Sequence, residues 1–301
     1  MVIYSKETDE LTAENEAKRK NALIGAIIGD IVGSIYEFEN HKTEDIYDFE
    51  LFTEECFFTD DTVMTIAVAE ALMEADPAEP EEIIKEKLVR SIKKWGRKYP
   101  FAGYGRRFKK WLMSEETEPY HSYGNGSAMR VSAAGWLYND MFTTRYMARL
   151  TAAVTHNHPE GIKGAEAVAA AIFLGRSGVD VADICDYIEN EFGYYLPLSC
   201  YEIRPRYEFN GSCQGTVPQA FVAFRDGKGF EETIRYGVSI GGDTDTLCAI
   251  AGSVAEAYSE VPDDMVQTAE SYLPEDMLEV LDAFRQRIAF SAKYWLGELE
   301  Y

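Results

Sequence analysis

The stretch ALIGAIIGDIVGSIY, residues 22–36, is the one long apolar run of the chain. It is shorter than the roughly 20 residues that a bilayer span requires, and Asp30 interrupts it, so it predicts a buried core helix. Gly25, Gly29 and Gly33 recur every fourth residue and share one face of that helix. A face without side chains lets another backbone approach closely. The segment therefore predicts tight packing against a second helix.

The rest of the chain also has mostly helical spacing. Apolar residues at i, i+3, i+4 and i+7 mark one face of a helix. This pattern is shown by Met64, Ala67, Val68, Ala71 and Leu72, and it is repeated by Leu247, Ile250, Ala251, Val254 and Tyr258. Further helices are predicted over 78–95, 144–155, 161–176, 180–191, 216–225 and 275–294. Strand-like alternation is scarce, so the residues predict an all-α fold.

Loops rich in glycine and polar residues are predicted between these helices. They cover 37–60, 99–105, 119–127, 156–161, 193–215 and 237–246. No repeat of fixed period and no low-complexity tract is present, which argues against a solenoid. At 301 residues and 46% hydrophobic composition, the chain can fill a large core. We expect a charged leader over residues 1–20 and one compact domain over residues 21–301.

The charge of the chain limits its partners. Its 52 acidic and 29 basic residues give a formal net charge of -23. Binding to nucleic acid or to an anionic membrane normally needs a basic surface, so neither partner is expected. The polar and charged opening does not resemble a secretion signal, and we expect a cytoplasmic protein.

The cysteines fit neither a disulfide framework nor a zinc site, because they are odd in number and include no CxxC pair. They are Cys56, Cys185, Cys200, Cys213 and Cys248. We expect them to be reduced and to act as small hydrophobic residues.

Two predicted helices begin with the same acidic chemistry, in the segments FFTDDTVM and SIGGDTDTLCAIAG. Their hydroxyl and carboxylate residues are Thr59, Asp60, Asp61, Asp243, Asp245 and Thr246. Each segment alone is explained by N-capping and by favourable interaction of acids with the helix dipole. Together they offer only oxygen ligands, the set that selects Mg²⁺ first, with Mn²⁺ or Ca²⁺ possible. Without a cation, four converging carboxylates would raise one another's pKa.

Three other segments carry candidate functional residues. Glu37 follows the glycine-spaced helix and is either a solvated loop residue, a third acidic contribution or a general base. Residues 122–126, SYGNG, precede a helical stretch and offer free backbone NH groups to a phosphate. His156 also precedes a helix, where a structural role is usual. Zinc binding by His156 and His158 is disfavoured, because no cysteine or further histidine stands at ligand spacing.

Five segments, in the same order, resemble the ADP-ribosylglycohydrolase family. They are GDIVGSIYE, FTDDTVMT, YGNGSAMR, THNHPEGIKGA and SIGGDTDT. The resemblance runs from about residue 22 to residue 290, and the paired TDD and GDTDT loops are specific to this family. It implies a compact orthogonal bundle of many helices with two Mg²⁺ ions in a cleft, Mn²⁺ being possible.

The resemblance also implies roles for individual residues. The six residues of the two acidic segments match the family's metal ligands. Glu37 matches the catalytic glutamate of the branch that cleaves serine-linked and polymeric ADP-ribose. The ADP-ribose diphosphate would be lined by Ser122, Tyr123, Gly124, Asn125 and His156. The distal ribose would be bordered by Gly103, Tyr104 and Gly105.

The activity implied is magnesium-dependent hydrolysis of the N- or O-glycosidic bond to the distal ribose of ADP-ribose. The partners would be ADP-ribose and an ADP-ribosylated protein or small molecule. A two-metal phosphoesterase would use similar oxygen ligands and stays an alternative. A catalytically inactive ADP-ribose-binding or crystallin-like protein is a second alternative.

Overall fold

The computed structural model describes residues 20–37 and 41–295, and this part of the chain is all-α, as the spacing predicts. Within it there is no β-strand, and the sole pairing of that type is a bridge between Gly124 and Ser212. The α-helices are α1 (Ile24–Gly33), α2 (Asp60–Glu74), α3 (Glu81–Lys98), α4 (Arg106–Met113), α5 (Ser132–Leu137), α6 (Met141–Ala153), α7 (Pro159–Arg176), α8 (Val181–Phe192), α9 (Cys200–Ile203), α10 (Cys213–Asp226), α11 (Phe230–Ile240), α12 (Thr244–Tyr258), α13 (Asp263–Ser271) and α14 (Glu275–Trp295). Residues 1–19 of the predicted leader and residues 38–40 of the predicted 37–60 loop lie outside the described residues.

Besides the two helices whose apolar faces are given by residue above, six helices were predicted by range. They correspond to α3, α6, α7, α8, α10 and α14, and local caps set their ends. The side chain of His158 accepts a hydrogen bond from the Glu160 NH, so α7 begins at Pro159 rather than at 161. The predicted loop over 237–246 shrinks to residues 241–243, because α11 continues to Ile240 and α12 begins at Thr244. Gly241 and Gly242 make this short turn with φ angles of 77° and 85°.

The glycine face of α1 packs directly on α12, as the spacing predicts. A Cβ atom added at Gly25 would lie 2.4 Å from the Gly252 carbonyl oxygen, and one at Gly29 would lie 2.1 Å from the Cys248 carbonyl oxygen. Every residue of α1 is buried. This close backbone contact places the end of α1 beside the start of α12, where the second acidic segment lies.

A buried carboxylate holds the start of α1. Glu256 of α12 accepts hydrogen bonds from the backbone NH groups of Leu23, at 3.0 Å, and Gly25, at 2.5 Å. It also accepts one from the Trp136 indole NH, at 3.0 Å. The side chain of Glu256 thereby satisfies backbone donors that have no partner inside the helix. At the other end of the contact the Thr244 hydroxyl donates to the Gly33 carbonyl at 2.9 Å, so the register of α1 against α12 is fixed at both ends.

Substitution of Gly29 by alanine is expected to lower the free energy of unfolding by about 3 kcal/mol, because the added methyl group would overlap the α12 backbone. Gly105→Ala is a matched control, since nothing lies within 4 Å of a Cβ atom there. The control should stay within about 1 kcal/mol of the parent protein. Denaturant unfolding measures both variants, and a Gly29→Ala protein as stable as the control would contradict the packing described.

The five cysteines are buried and free of disulfides, in agreement with the sequence prediction. Among the described residues, no helix has the length and apolar character needed to cross a membrane.

Candidate active site and metal centre

Three helix ends meet at one wall of a cleft of about 640 Å³. Glu37 lies shortly after the end of α1, while α2 and α12 both begin there with acidic first turns. The sequence-predicted site residues that line the cleft are Glu37, Asp60, Asp61, Gly103, Gly105, Ser122, Gly124, Asn125, His156, Asp243, Asp245 and Thr246. The fold therefore brings together segments that are far apart in the sequence.

The carboxylates form two overlapping clusters. One oxygen each of Asp30, Asp61 and Asp245 lie within 4.8 Å of one another, and the same holds for Glu37, Asp243 and Asp245. Asp245 belongs to both clusters and is 4% exposed. Groups of three carboxylate oxygens at this spacing could hold a metal ion.

Helix capping explains only part of the first acidic segment. Thr59 is the N-cap of α2 and accepts a hydrogen bond from the Asp61 NH at 3.3 Å. The Thr59 hydroxyl also lies 2.6 Å from the Asp30 Oδ1 atom and 3.4 Å from the Asp245 Oδ2 atom. Its oxygen thus lies among the carboxylates, besides capping the helix.

The second acidic segment is not explained by capping. Asp243 is the N-cap of α12, yet its side chain makes no capping hydrogen bond. It accepts instead from the Asn125 amide at 2.7 Å, which joins the acidic centre to the glycine-rich loop. The Thr246 hydroxyl donates to the Asp61 Oδ2 atom at 3.2 Å and so links the two acidic segments.

Burial and mutual repulsion raise the pKa values of these carboxyl groups. For Asp61 and Asp245, burial comes first and neighbouring carboxylates second, and the pKa of each is raised well above its ordinary value. Burial also raises the pKa of Asp243 to about 6. Burial, with Asp245 and Asp30 nearby, raises the pKa of Glu37 to about 8.

This donor set fits a hard cation. Asp61 is 2% exposed, and its Oδ1 atom is buried without a hydrogen-bond partner. A buried, unpartnered carboxylate oxygen is unfavourable unless a cation or proton compensates it. A divalent ion would remove both the unsatisfied oxygen and the repulsion between carboxylates.

Metal-free protein is expected to lose stability as the pH rises from about 4 to about 8. The sign follows from the raised pKa values of Asp243 and Glu37, because the folded protein keeps protons that the unfolded chain has already lost. Mg²⁺ competes with those protons, so its stabilising effect should be larger at pH 8 than at pH 5. At 100 times its Kd, Mg²⁺ should add about 2.7 kcal/mol, which raises Tm by roughly 5 to 10 °C.

Thermal melting in chelator and in Mg²⁺ measures this effect, with sodium chloride of equal ionic strength as the control. A Tm that is constant or rising from pH 5 to pH 8 in chelator, and unchanged by Mg²⁺, would contradict a cation site at the acidic centre.

Asp30 belongs to this centre, although the sequence shows it only as a polar interruption of a core helix. It is fully buried and accepts hydrogen bonds from the Thr59 NH at 2.8 Å and the Thr62 NH at 3.0 Å. With the Thr59 hydroxyl it therefore holds the start of α2 in place. A charged residue inside a fully buried apolar helix was the available signal for this role.

The glycine-rich loop also lines the cleft and meets the acidic centre through the Asn125 side chain. The Asn125 NH donates to the Gly211 carbonyl at 3.0 Å, and the Gly124 NH donates to the Ser122 hydroxyl at 3.1 Å. The ring of His156 lies directly against this loop, because a Cβ atom at Gly126 would be 3.2 Å from its Nε2 atom. Small residues and an imidazole thus surround a space large enough for a ligand group.

Three predicted site residues are not part of the cleft lining: Thr59, which lies among the buried carboxylates, and Tyr104 and Tyr123. The Tyr104 ring is buried against Phe108, with ring centroids 5.6 Å apart, while its neighbours Gly103 and Gly105 line the cleft. The Tyr123 ring is 50% exposed and contacts the His158 ring at 5.3 Å. Their roles in ligand binding stay predictions.

Sequence reasoning missed a basic wall of the cleft. Residues 85–110 contain eleven lysines and arginines and one acidic residue, in a chain with a net charge of -23. From this region Arg106 and Arg107 line the cleft, together with the buried Arg130 from the YGNGSAMR segment. The cleft therefore has carboxylates at one end and cationic side chains along another wall. This charge separation suits a ligand that carries both hydroxyl groups and phosphate.

Comparison with known proteins agrees with this geometry. The family described as ADP-ribosylglycohydrolase matches residues 11–292, most of the chain. The chain belongs to the ADP-ribosylglycohydrolase family. Its resemblance to that family, seen in the five sequence segments, is thus confirmed, and membership identifies this ADP-ribosylglycohydrolase as a hydrolase.

Curated relatives of this ADP-ribosylglycohydrolase include the mouse and human proteins named ADP-ribosylhydrolase ARH3. Each is 27% identical to it over 88% of this chain, covering 91% of the mouse protein and 93% of the human protein. ADP-ribosylarginine hydrolase Tri1 of Pseudomonas putida is 24% identical over 85% of this chain and 76% of that protein. A solved structure titled ADP-ribosylglycohydrolase-related protein complex superposes with a TM-score of 0.65 at 21% identity, covering 92% of this chain and 98% of that one.

Proposed function

We propose that this ADP-ribosylglycohydrolase uses Mg²⁺ to hydrolyse the glycosidic bond between the distal ribose of ADP-ribose and an acceptor, releasing ADP-ribose. One observation carries the proposal: the carboxylates of three helix ends, the glycine-rich loop and the cationic wall line the same cleft. The acidic end suits the ribose hydroxyls through a cation. The loop and the cationic wall suit the diphosphate.

The cation would be held by the hydroxyl and carboxylate oxygens of the two acidic segments. These are Thr59, Asp60, Asp61, Asp243, Asp245 and Thr246. The all-oxygen set and the unpartnered Asp61 oxygen support Mg²⁺ as the first choice, and Mn²⁺ has similar requirements. Bound Mg²⁺ would orient the ribose diol and thereby position the anomeric carbon.

Glu37 is assigned as the general base. It is less buried than Asp61, Asp243 and Asp245, and it lines the cleft at the acidic end. Cations in the cleft would favour its ionised form, which accepts a proton from water. The water oxygen bonds to the anomeric carbon as the bond to the acceptor breaks, through an oxocarbenium-like transition state. The acceptor leaves with a proton, so the net reaction adds one water molecule across the bond.

The diphosphate is assigned to the loop with Ser122, Tyr123, Gly124 and Asn125, next to His156. The Gly124 and Asn125 NH groups, expected from the sequence to be free, donate within the protein, so the Ser122 hydroxyl and the His156 ring are the proposed donors to the phosphate oxygens. Gly103, Tyr104 and Gly105 are assigned to the border of the distal ribose. This position is supported by the distance of 3.2 Å between the Asp60 Oδ1 atom and a Cβ atom built at Gly103.

We further propose that this activity resides in one domain over residues 21–301 and that the enzyme works in the cytoplasm. Five free, buried cysteines are typical of a reducing compartment.

A panel of defined conjugates tests the function and finds the acceptor. It contains peptides with ADP-ribose on arginine or serine, an acetyl ester, polymeric ADP-ribose and a nucleic-acid conjugate, each assayed with Mg²⁺ and with chelator. We expect release of intact ADP-ribose from at least one conjugate, with strong loss in chelator. ADP-ribose binding without turnover of any conjugate would favour a binding protein. Release of AMP or phosphate would favour a phosphoesterase.

A further inference from the structure

A chain of buried hydrogen bonds reaches His156 from behind. Arg130, which is 1% exposed, donates through Nη2 to the Thr151 carbonyl at 2.8 Å and to the Thr155 hydroxyl oxygen at 2.7 Å. The Thr155 hydroxyl lies 2.7 Å from the His156 Nδ1 atom. Arg130 and His156 line the cleft together with the glycine-rich loop.

The direction of this chain follows from the donors and acceptors available. The Arg130 guanidinium can only donate, so the Thr155 oxygen must accept that hydrogen bond. The hydroxyl proton of Thr155 then needs an acceptor, because Thr155 is fully buried. Among the described residues, the His156 Nδ1 atom is the partner within reach of that proton. Nδ1 therefore carries the lone pair.

We propose that Arg130 and Thr155 are positioning residues that hold His156 in the neutral tautomer with its proton on Nε2, so that the ring donates a hydrogen bond into the glycine-rich loop. The assignment of the diphosphate as the acceptor of that hydrogen bond rests on the function proposed above. The placement of the proton on Nε2 does not depend on that function.

The surroundings of the Nε2 atom agree with a donor role. This atom has no hydrogen-bond partner among the described residues, and the ring lines the cleft. It lies 3.5 Å and 3.2 Å from the Cβ positions of Gly124 and Gly126, so no side chain stands between it and the loop. Burial, followed by Arg130 and Arg107, lowers the pKa of His156 well below its ordinary value, which keeps the ring neutral.

The position of this one proton decides whether the loop attracts or repels an anion. With the proton on Nε2, the ring offers a donor to a phosphate oxygen. With the proton on Nδ1, the ring would present a lone pair to the same oxygen. Hydrogen bonds to charged groups are among the stronger ones in proteins, so loss of the donor should weaken binding of a diphosphate by about tenfold.

Nitrogen NMR of the histidine rings tests the placement directly, because protonated and unprotonated ring nitrogens have well-separated shifts. In the parent protein at pH 7 we expect the Nε2–H form for His156. Thr155→Val removes the hydroxyl at nearly constant volume, and it should give a mixture of tautomers and an ADP-ribose Kd about tenfold weaker by calorimetry. Thr155→Ser restores the hydroxyl and should keep the parent tautomer and a Kd within about threefold of the parent value.

Thr151→Val is the matched control for a purely structural effect. Thr151 is also fully buried, but its hydroxyl donates to the Ala148 carbonyl at 2.7 Å and does not contact His156. This variant should lose thermal stability to a similar extent as Thr155→Val, while its tautomer and ADP-ribose affinity should match those of the parent.

Two results would overturn the inference. One is an Nδ1–H or doubly protonated His156 ring in the parent protein. This result is measured on the parent alone and does not depend on whether a variant folds. The other is a Thr155→Val protein with parent-like tautomer and affinity. A parent protein that shows the Nε2–H form but does not bind ADP-ribose would support the proton placement and contradict the function proposed above.

Discussion

Asp245→Asn is expected to weaken Mg²⁺ binding at least about 100-fold and to lower turnover with it, because affinity in such sites follows the number of ligand charges. Asp245 is the residue for which the largest effect is expected, since its carboxylate belongs to both acidic clusters. Asparagine keeps the shape and one oxygen but removes the charge. Calorimetric Mg²⁺ titration and single-turnover hydrolysis measure the two effects on the same protein.

Asp264→Asn is a suitable control for this substitution. Asp264 also lies in the first turn of a helix, α13, but it is exposed and outside the cleft. Loss of a helix-dipole interaction there should cost less than about 1 kcal/mol and leave turnover unchanged. Parent-like Mg²⁺ binding and turnover in Asp245→Asn would remove the second acidic segment from the metal site.

Glu37→Gln is expected to separate binding from chemistry. Glutamine keeps the size and an oxygen atom of Glu37 but does not accept a proton at neutral pH. We therefore expect kcat to fall by about 10² to 10⁴, while ADP-ribose affinity changes by less than about tenfold. Single-turnover hydrolysis and ADP-ribose calorimetry measure the two quantities.

Two comparison variants sharpen this test. Asp60→Asn should weaken both binding and turnover, because Asp60 is one of the residues proposed to hold Mg²⁺. Glu44→Gln changes an exposed glutamate of the loop that follows Glu37 and should alter neither quantity. If Glu37→Gln turns over within a few fold of the parent, the general base must be sought among the carboxylates proposed to hold Mg²⁺.

The helices that could be predicted from the sequence are those with a long run of regularly spaced apolar residues. The glycine face of α1 predicted a close helix contact, and the structure supplies α12 as the partner. The short helix α9 was not predicted, because four residues are too few to show a helical period. The start of α7 depends on its cap at His158, which the apolar pattern does not show.

The site was predictable where its residues are adjacent in the chain. Both acidic segments and the glycine-rich loop are contiguous, so their chemistry is visible in a few letters of sequence. Asp30 was visible too, but only as an interruption of an apolar run, because the sequence does not show that Thr59 lies beside it. Arg130 and Thr155 are 25 residues apart, and their link to His156 depends on how α6 ends against the cleft. The spacing of residues along the chain does not show which side chains meet in the folded protein.

Product analysis in water enriched in the heavy oxygen isotope tests the central claim most directly. A conjugate cleaved in the panel is hydrolysed in a single turnover with Mg²⁺, and the masses of the products are measured immediately by mass spectrometry. Attack of water on the anomeric carbon predicts intact ADP-ribose that carries one heavy oxygen, with an unlabelled acceptor and no reaction in chelator. Heavy oxygen in AMP, in a phosphate group or in the released acceptor would contradict glycosidic cleavage at the distal ribose.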